Sequence, residues 1–484
     1  MKILVTGATG FIGRAAVTLL QGRGYQIVAW VRSEDRARDM LGYGPELIGP
    51  DMERDLLRDK LEECDAVLNL SGRPIPLGRW THGQKQELWD SRVGLTRILS
   101  EEINRCQSPP SVFVSSSAVG YYGNRPQDIL NEESPKGDGY LSDLCVNWEN
   151  AAVSAGSEST RVCILRMGVV LGREGGILKL LTPFFRYGFG NVLGDGRQNM
   201  PWIHLIDALR VMVRCIEDPD LRGVFNCSSP DPCTAMEFSQ TLRNKTRARI
   251  LIGVPSWVLR VVLGENAKHY LSSQYVVPEA LMAKGFKFYF TNISMALDYE
   301  LDHQEIFIRK VAVDEPLSMG DKFESATPVY GQYKLTTETH VEADEETVFD
   351  FFSSPLNLGL TTPPGMGFKI QNMPDNIQVG SNITYKIKLW GITLTWVTEI
   401  VTWAPPAFFV DRQVKGPYRL WRHEHRIFRS EDNMRTVMTD AVIYRVPLGI
   451  IGRLLHRFFI ADQLKRIFKF RKQVILLRFG GIGN

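Results

Sequence analysis

The feature that most constrains this chain stands at its start. Thr6-Gly7-Ala8-Thr9-Gly10-Phe11-Ile12-Gly13 follows the apolar run Ile3–Val5 and opens a helix-like stretch. Three glycines thus fall three residues apart between a strand and a helix. In such a turn Gly7 permits the tight bend, Gly10 lets the backbone approach a pyrophosphate, and Gly13 lets helix and strand pack closely. The helix N-terminus adds unpaired N–H groups and the positive end of its dipole. The strand–glycine–helix context separates this motif from an ordinary glycine-rich turn. Thr9, Phe11 and Ile12 share the loop and first turn and are candidate cofactor contacts.

The second apolar run, Ile27–Val31, ends in Arg32-Ser33. An acidic residue there would bind the ribose 2′-hydroxyl of NAD, whereas a cation accommodates the 2′-phosphate of NADP. Arginine also grips phosphate with a fork of donors. The expected cofactor is therefore NADP(H), with Arg32 and Ser33 at its phosphate. Asp51 and Asn69-Leu70-Ser71-Gly72 fall where adenine and ribose contacts are expected.

Further apolar runs at Ala66–Leu70, Val112–Ser115 and Cys163–Met167 alternate with helix-like segments, which predicts βαβ units and a parallel sheet. The expected fold is α/β, a Rossmann doubly wound sheet, with a small substrate lobe over residues 175–300 inside a domain spanning 1–304. Residues 305–329 read as a linker rich in turn signals. Over 330–484 the pattern changes. Tyr333–Val341 alternates as a strand, Asp344–Phe352 is a short amphipathic helix, and Asn382–Trp403, Phe408–Val414, Leu420–Arg429 and Thr436–Arg445 are strand-like. A basic helix near 449–478 follows. This predicts an α+β domain with a curved antiparallel sheet and one long helix.

A net charge of +3 is too balanced for a nucleic-acid binder. The seven cysteines show no zinc or disulfide spacing, so no metal site is assigned and a reducing, cytoplasmic setting is expected. No run of 18 or more apolar residues marks a transmembrane segment.

The glycine motif, Asn69-Leu70-Ser71-Gly72 and Ser115-Ser116-Ser117-Ala118-Val119-Gly120-Tyr121-Tyr122-Gly123 together resemble an extended short-chain dehydrogenase/reductase. Arg79-Trp80-Thr81, Asp90-Ser91-Arg92-Val93-Gly94, Gly194-Asp195-Gly196-Arg197-Gln198, Trp202-Ile203-His204 and Val262-Leu263-Gly264-Glu265 are similar to its "epimerase family protein" branch, related to NAD-dependent epimerase/dehydratases. The resemblance covers roughly the first 300 residues. It implies a Ser/Thr–Tyr–Lys arrangement in which Tyr exchanges a proton with a carbonyl or alcohol. Ser117 and Tyr140 match the Ser and Tyr, but Leu144 and Cys145 stand where the Lys falls. Tyrosine needs that Lys because its ordinary pKa is about 10. Met200-Pro201 replaces the Arg that grips a sugar nucleotide, and Val169 replaces an Asn. The expected substrate is thus a small molecule other than a nucleotide sugar. Arg197 and His204 are weaker substrate candidates; a lone His beside Trp202 is more often a packing residue. Asp207 is expected to cap the next helix.

Residues 330–484 resemble the START-like polyketide cyclase/dehydrase (SRPBCC) superfamily, on Ala343–Phe352, Gly416–His425 and Asp440–Pro447. This implies a helix-grip fold with an apolar cavity and an apolar ligand. His423 and His425, two apart on a strand, face one side. Two such imidazoles suit either a cavity wall or a metal, but no third ligand is evident in the sequence. The basic terminal helix suits the grip helix or an anionic membrane surface. The expected function is an NADP(H)-dependent oxidoreductase of the epimerase/dehydratase type; the alternative that the missing Lys favours is a non-catalytic NADP(H) sensor or scaffold coupled to a lipid-binding module, and a weaker third is an epimerase acting through transient oxidation at carbon.

Overall fold

The computed structural model describes the chain except residues 43, 51–52, 77, 302–305, 312–332, 364–365, 390–391, 431–433 and 481–484, and the side chain of residue 458. Asp51 and most of the expected linker lie outside the described residues. The chain divides into two compact units, one containing 45–302 with most of 1–34, the other containing 303–484.

The first unit is built on a seven-stranded parallel sheet. Its spatial order is Gly223–Cys227, Arg161–Met167, Val112–Ala118, Ala66–Asn69, Lys2–Thr6, Gln26–Trp30, Glu46–Ile48. Chain order reverses between Lys2–Thr6 and Ala66–Asn69, the place where open α/β sheets bind ligands beyond their strand ends. Ile3, Leu4 and Val5 are all fully buried, which explains a continuous apolar run with no alternation: helices cover both faces. On one face Leu4, Val28, Val67, Phe113 and Ile164 pack against Leu57, Leu61, Leu99, Ile103 and Ala152. Residues 175–300 contain the paired strands Phe189–Leu193 and Ile250–Val254 and the helices Gly176–Arg186 and Ala235–Thr246. Thr234 and Glu237 close the latter with reciprocal caps.

The second unit is an eight-stranded antiparallel sheet with the helix Ala461–Phe479 against it. Leu464, Phe468 and Ile475 of that helix share one core with Trp396, Phe409, Trp421 and Val442. Tyr333–Val341 alternates buried and exposed side chains as its sequence implies.

Three sequence expectations are corrected. Ile306–Lys310, read as linker, is an edge strand antiparallel to Tyr333–Val341, with Ile306 opposite Thr337. Its apolar residues, Ile306, Phe307 and Ile308, border loop-like sequence that masks a strand only five residues long. The run Asn382–Trp403 is two strands, Asn382–Leu389 and Ile392–Ala404, paired with each other. Asp207 does not cap its helix. The cap is His204, and Asp207 instead accepts from the backbone N–H groups of Tyr289 and Phe290.

Candidate functional site

The glycine loop joins the strand Lys2–Thr6 to the helix Phe11–Gly22 at the reversal point. Gly7 has φ +65°, and a Cβ there would lie 2.4 Å from the Leu70 carbonyl oxygen. A Cβ on Gly13 would lie 2.1 Å from the Gly7 carbonyl oxygen. Both positions therefore demand glycine, one for the turn and the other for helix–strand contact. Gly10 is different: its nearest neighbour would be the Gly7 oxygen at 3.1 Å, and it is exposed. Its open side, at the N-terminus of a helix, is a cradle that a phosphate fits. Thr9 and Ile12 are partly exposed beside it, whereas the Phe11 ring fills the space over Gly172 and Gly175.

Arg32 is exposed at the end of the neighbouring strand and makes no hydrogen bond or ion pair among the described residues, with Ser33 beside it half-buried. Asn69 turns inward. Its amide accepts from Thr6 Oγ1 at 2.6 Å and donates to Thr96 Oγ1 at 2.8 Å and Ser115 Oγ at 3.1 Å. It ties three strands together, and only its successors Leu70, Ser71 and Gly72 reach the surface of the crevice.

Ser117 is buried, and its hydroxyl donates to Glu149 Oε1 at 2.6 Å. Glu149 is gripped by Arg166, Nε to Oε1 and Nη2 to Oε2, both at 2.9 Å. Arg166 Nη1 also donates to the Tyr122 hydroxyl at 2.9 Å, which lies 2.7 Å from Asn226 Oδ1. Burial disfavours the Arg166 cation, but Glu149 and Tyr122 more than offset this and raise its pKa. This buried chain of polar groups was not found from sequence.

Tyr140 begins the helix Tyr140–Val153, with its hydroxyl donating to the Lys85 backbone oxygen at 2.6 Å. The Trp80 ring meets it edge-on at 5.7 Å. Burial raises the Tyr140 pKa, and Arg92 only partly opposes this. Ser117 and Tyr140 thus direct their protons to separate partners. Leu144 and Cys145, at the Lys position, are buried, and burial pushes the Cys145 thiol up to about 12.

The weaker substrate candidates separate. Arg197 is exposed, with its backbone N–H on Asp195. His204 is fully buried: Nδ1 accepts from the Ile206 N–H, and Nε2 lies 3.0 Å from Glu300 Oε1. Its ring lies on Phe290, centroids 3.8 Å apart. With both nitrogens engaged inside the core, it is not exposed to a substrate. Sequence spacing gave no sign of Glu300, 96 residues away.

In the second unit a cavity of about 150 Å³ of water-accessible space lies between sheet and long helix. Phe352, Tyr385, Trp396, Trp421 and Leu464 line it, with Asp411, His423, His425 and Arg471 as its polar side. The third carboxylate-or-histidine group that the sequence did not reveal is Asp411, opposite His423 across the sheet. Burial and the neighbouring His425 lower the His423 pKa to about 4. Burial works against the Asp440 charge, but Arg471, His423 and His425 prevail and hold its pKa well below the ordinary range.

The sheet order and the glycine turn at its reversal define a Rossmann-type doubly wound α/β unit. Residues 3–228 match the NAD dependent epimerase/dehydratase family, and residues 254–300 match a domain of unknown function, DUF1731. The human epimerase family protein SDR39U1 is 36% identical over 301 residues, 61% of this chain and 98% of that protein. Epimerase family protein ML0860 of Mycobacterium leprae is 33% identical over 298 residues, 61% of this chain and 94% of that protein. This chain belongs to the NAD dependent epimerase/dehydratase family. A crystal structure of human SDR39U1 with NADPH superposes with a TM-score of 0.56 at 34% identity, over 62% of this chain and 99% of that one. A Thermotoga maritima UDP-glucose 4-epimerase with UDP-glucose, 16% identical with a TM-score of 0.51, covers 62% of this chain and 98% of that one and shares the fold. Among the described residues no helix is long and apolar enough to cross a membrane.

Proposed function

We propose that the first unit is an NADP(H)-dependent oxidoreductase of the epimerase/dehydratase type, acting on a small substrate other than a nucleotide sugar. The observation that carries the cofactor reading is the open Gly10 cradle with the exposed Arg32, which pairs with none of the described residues, at the next strand end. The NADPH in the human relative's crystal structure supports it. The loop Gly7–Gly13 would hold the pyrophosphate, Arg32 and Ser33 the 2′-phosphate, and Leu70–Gly72 the ribose side.

NADPH supplies hydride when bound. Of the chain's own groups, Tyr140 is the candidate proton donor to the substrate oxygen. Its raised pKa keeps the hydroxyl protonated, which suits reduction of a carbonyl and not proton abstraction from an alcohol. Ser117 has its single proton committed to Glu149 and would position the Tyr121–Tyr122 wall through Arg166. Arg197 remains a candidate at the substrate. The second unit would be a START-like helix-grip domain whose cavity takes a largely apolar ligand. A cytoplasmic location fits both units.

One observation favours a second reading, in which NADP(H) is held without turnover as a sensor or scaffold. Tyr140 gives its proton to Lys85 O, and no Lys stands at Leu144 or Cys145. NADPH consumption against fractionated cell extract, run beside Tyr140→Phe, separates the two. Consumption lost in the variant supports the oxidoreductase; NADPH binding with no consumption in any fraction favours the sensor.

A further inference from the structure

The sheet of the second unit assembles a polar cluster from three strands. Asp411 stands opposite His423 in the register of Phe408–Lys415 with Leu420–Arg429, and Asp440 stands opposite His425 in the next pair. Asp440 Oδ1 lies 2.9 Å from His423 Nε2 and 2.7 Å from His425 Nδ1. An ionised carboxylate only accepts, so at these distances both nitrogens carry their protons toward Asp440. Arg471 Nη2 lies 3.3 Å from His425 Nδ1, a longer contact than the 2.7 Å to Asp440 Oδ1, toward which we assign the Nδ1 proton. The Arg471 guanidinium neutralises the Asp440 carboxylate, with Nε 3.5 Å from Oδ2.

The other ring nitrogens, His423 Nδ1 and His425 Nε2, then present lone pairs. They face Asp411 Oδ2 at 3.8 and 3.5 Å, without a hydrogen bond to it. All three atoms lie within 4.8 Å of one another. Three acceptors converge, and no donor from the described residues reaches any of them. Ligand atoms at zinc–ligand distances of about 2.0–2.2 Å in a tetrahedron sit roughly 3.3–3.5 Å apart, close to this spacing. Imidazoles that donate their outer N–H to a carboxylate are how metal-binding histidines are oriented.

We propose that Asp411, His423 and His425 hold a divalent first-row transition cation, with Asp440 as the carboxylate that orients both imidazoles. Two imidazoles and one carboxylate suit such an ion, whereas magnesium and calcium require oxygen ligands. Three protein ligands leave a coordination position free, and all three residues line the cavity. The ion would address a polar group of whatever small molecule enters there. This inference is independent of the NADP(H) reading.

The test is Co²⁺ titration of untagged, chelator-stripped full-length protein, read by visible absorption and metal content. The expected result is about one bound Co²⁺ per chain with a low-symmetry spectrum, competed by Zn²⁺ and not by Mg²⁺. Asp411→Asn, which nearly preserves shape, and His423→Ala should each abolish that spectrum. Asp440→Asn should weaken binding about 10–100-fold. His340→Ala, at an exposed histidine paired with Glu338, should change nothing. Thermal unfolding of each variant shows whether it is folded, and Asp411→Asn decides if His423→Ala is not. No Co²⁺ bound by the wild type, or the same spectrum in Asp411→Asn, overturns the proposal.

Discussion

Ser117 Oγ and Glu149 Oε1 lie 2.6 Å apart in the core of the first unit, and this bond changes how the serine is understood. The only proton of the hydroxyl is directed into a carboxylate already gripped by Arg166. Ser117 therefore works at the end of a buried ion pair, facing inward.

That pair carries the first prediction. Glu149→Ala leaves Arg166 charged, buried and without its counter-ion, a change that costs about 3–5 kcal/mol. Ser117→Ala leaves the ion pair intact and, as loss of a hydrogen bond to a charged group, should cost less, about 1.5–3 kcal/mol. Thermal and urea unfolding of the two variants check the contrast. Equal, small losses would show that the pair does not hold the first unit together.

Tyr140→Phe removes the candidate proton donor and the bond to the Lys85 oxygen, both at a half-buried position. Loss of a general acid should lower NADPH consumption at least about 100-fold. NADPH affinity should stay within about twofold, because the ring remains in place. Turnover persisting in the variant would remove Tyr140 from the chemistry.

Gly13→Ala tests the turn. Its Cβ would stand 2.1 Å from the Gly7 carbonyl oxygen, and neither backbone can yield without displacing the cradle. NADPH binding should be lost, with a fall in thermal stability. Gly24→Ala is a useful contrast: nothing lies within 4 Å of its Cβ, and its cost comes only from φ +84°. It should lower stability modestly and leave NADPH affinity alone.

A pH dependence follows from His456 in the second unit. The residue is 6% exposed, stacks on Tyr333 at 3.6 Å, and lies 2.7 Å from the Tyr444 hydroxyl. Burial, with help from Lys310, lowers its pKa from 6.5 to about 4. Between those values the unfolded chain binds a proton that the folded chain does not. The contribution is thus complete above about pH 6.5 and is lost as pH falls toward 4, about 3 kcal/mol in all. Urea unfolding at stepped pH should show this slope, and His456→Phe should reduce it. An unchanged slope in the variant would place the titration elsewhere.

The legible parts of this molecule are those whose cause is local. Gly7, Gly10 and Gly13 declare themselves because turn, cradle and packing contact fall within eight residues. The parallel sheet follows from apolar runs such as Ile3–Val5 that show no alternation. Partners made by tertiary structure leave no such trace. Glu149 and Arg166 are 17 residues apart on a helix and a strand, and His204 finds Glu300 only through the fold. The period of two placed His423 and His425 on one face. The identity of their neighbour, Asp411, depended on strand register, which spacing does not encode. Tyr140 was legible as a residue, while the destination of its hydroxyl, Lys85 O, was not.

The measurement that bears most directly on the central claim is the affinity of wild type and Arg32→Ala for NADPH and NADH, by fluorescence titration at fixed ionic strength. Wild type should prefer NADPH, and the substitution should weaken NADPH about tenfold while changing NADH little, because only NADPH carries the 2′-phosphate. Equal affinity for the two cofactors in wild type, or equal losses in the variant, would contradict the reading of Arg32 and with it the NADP(H) dependence.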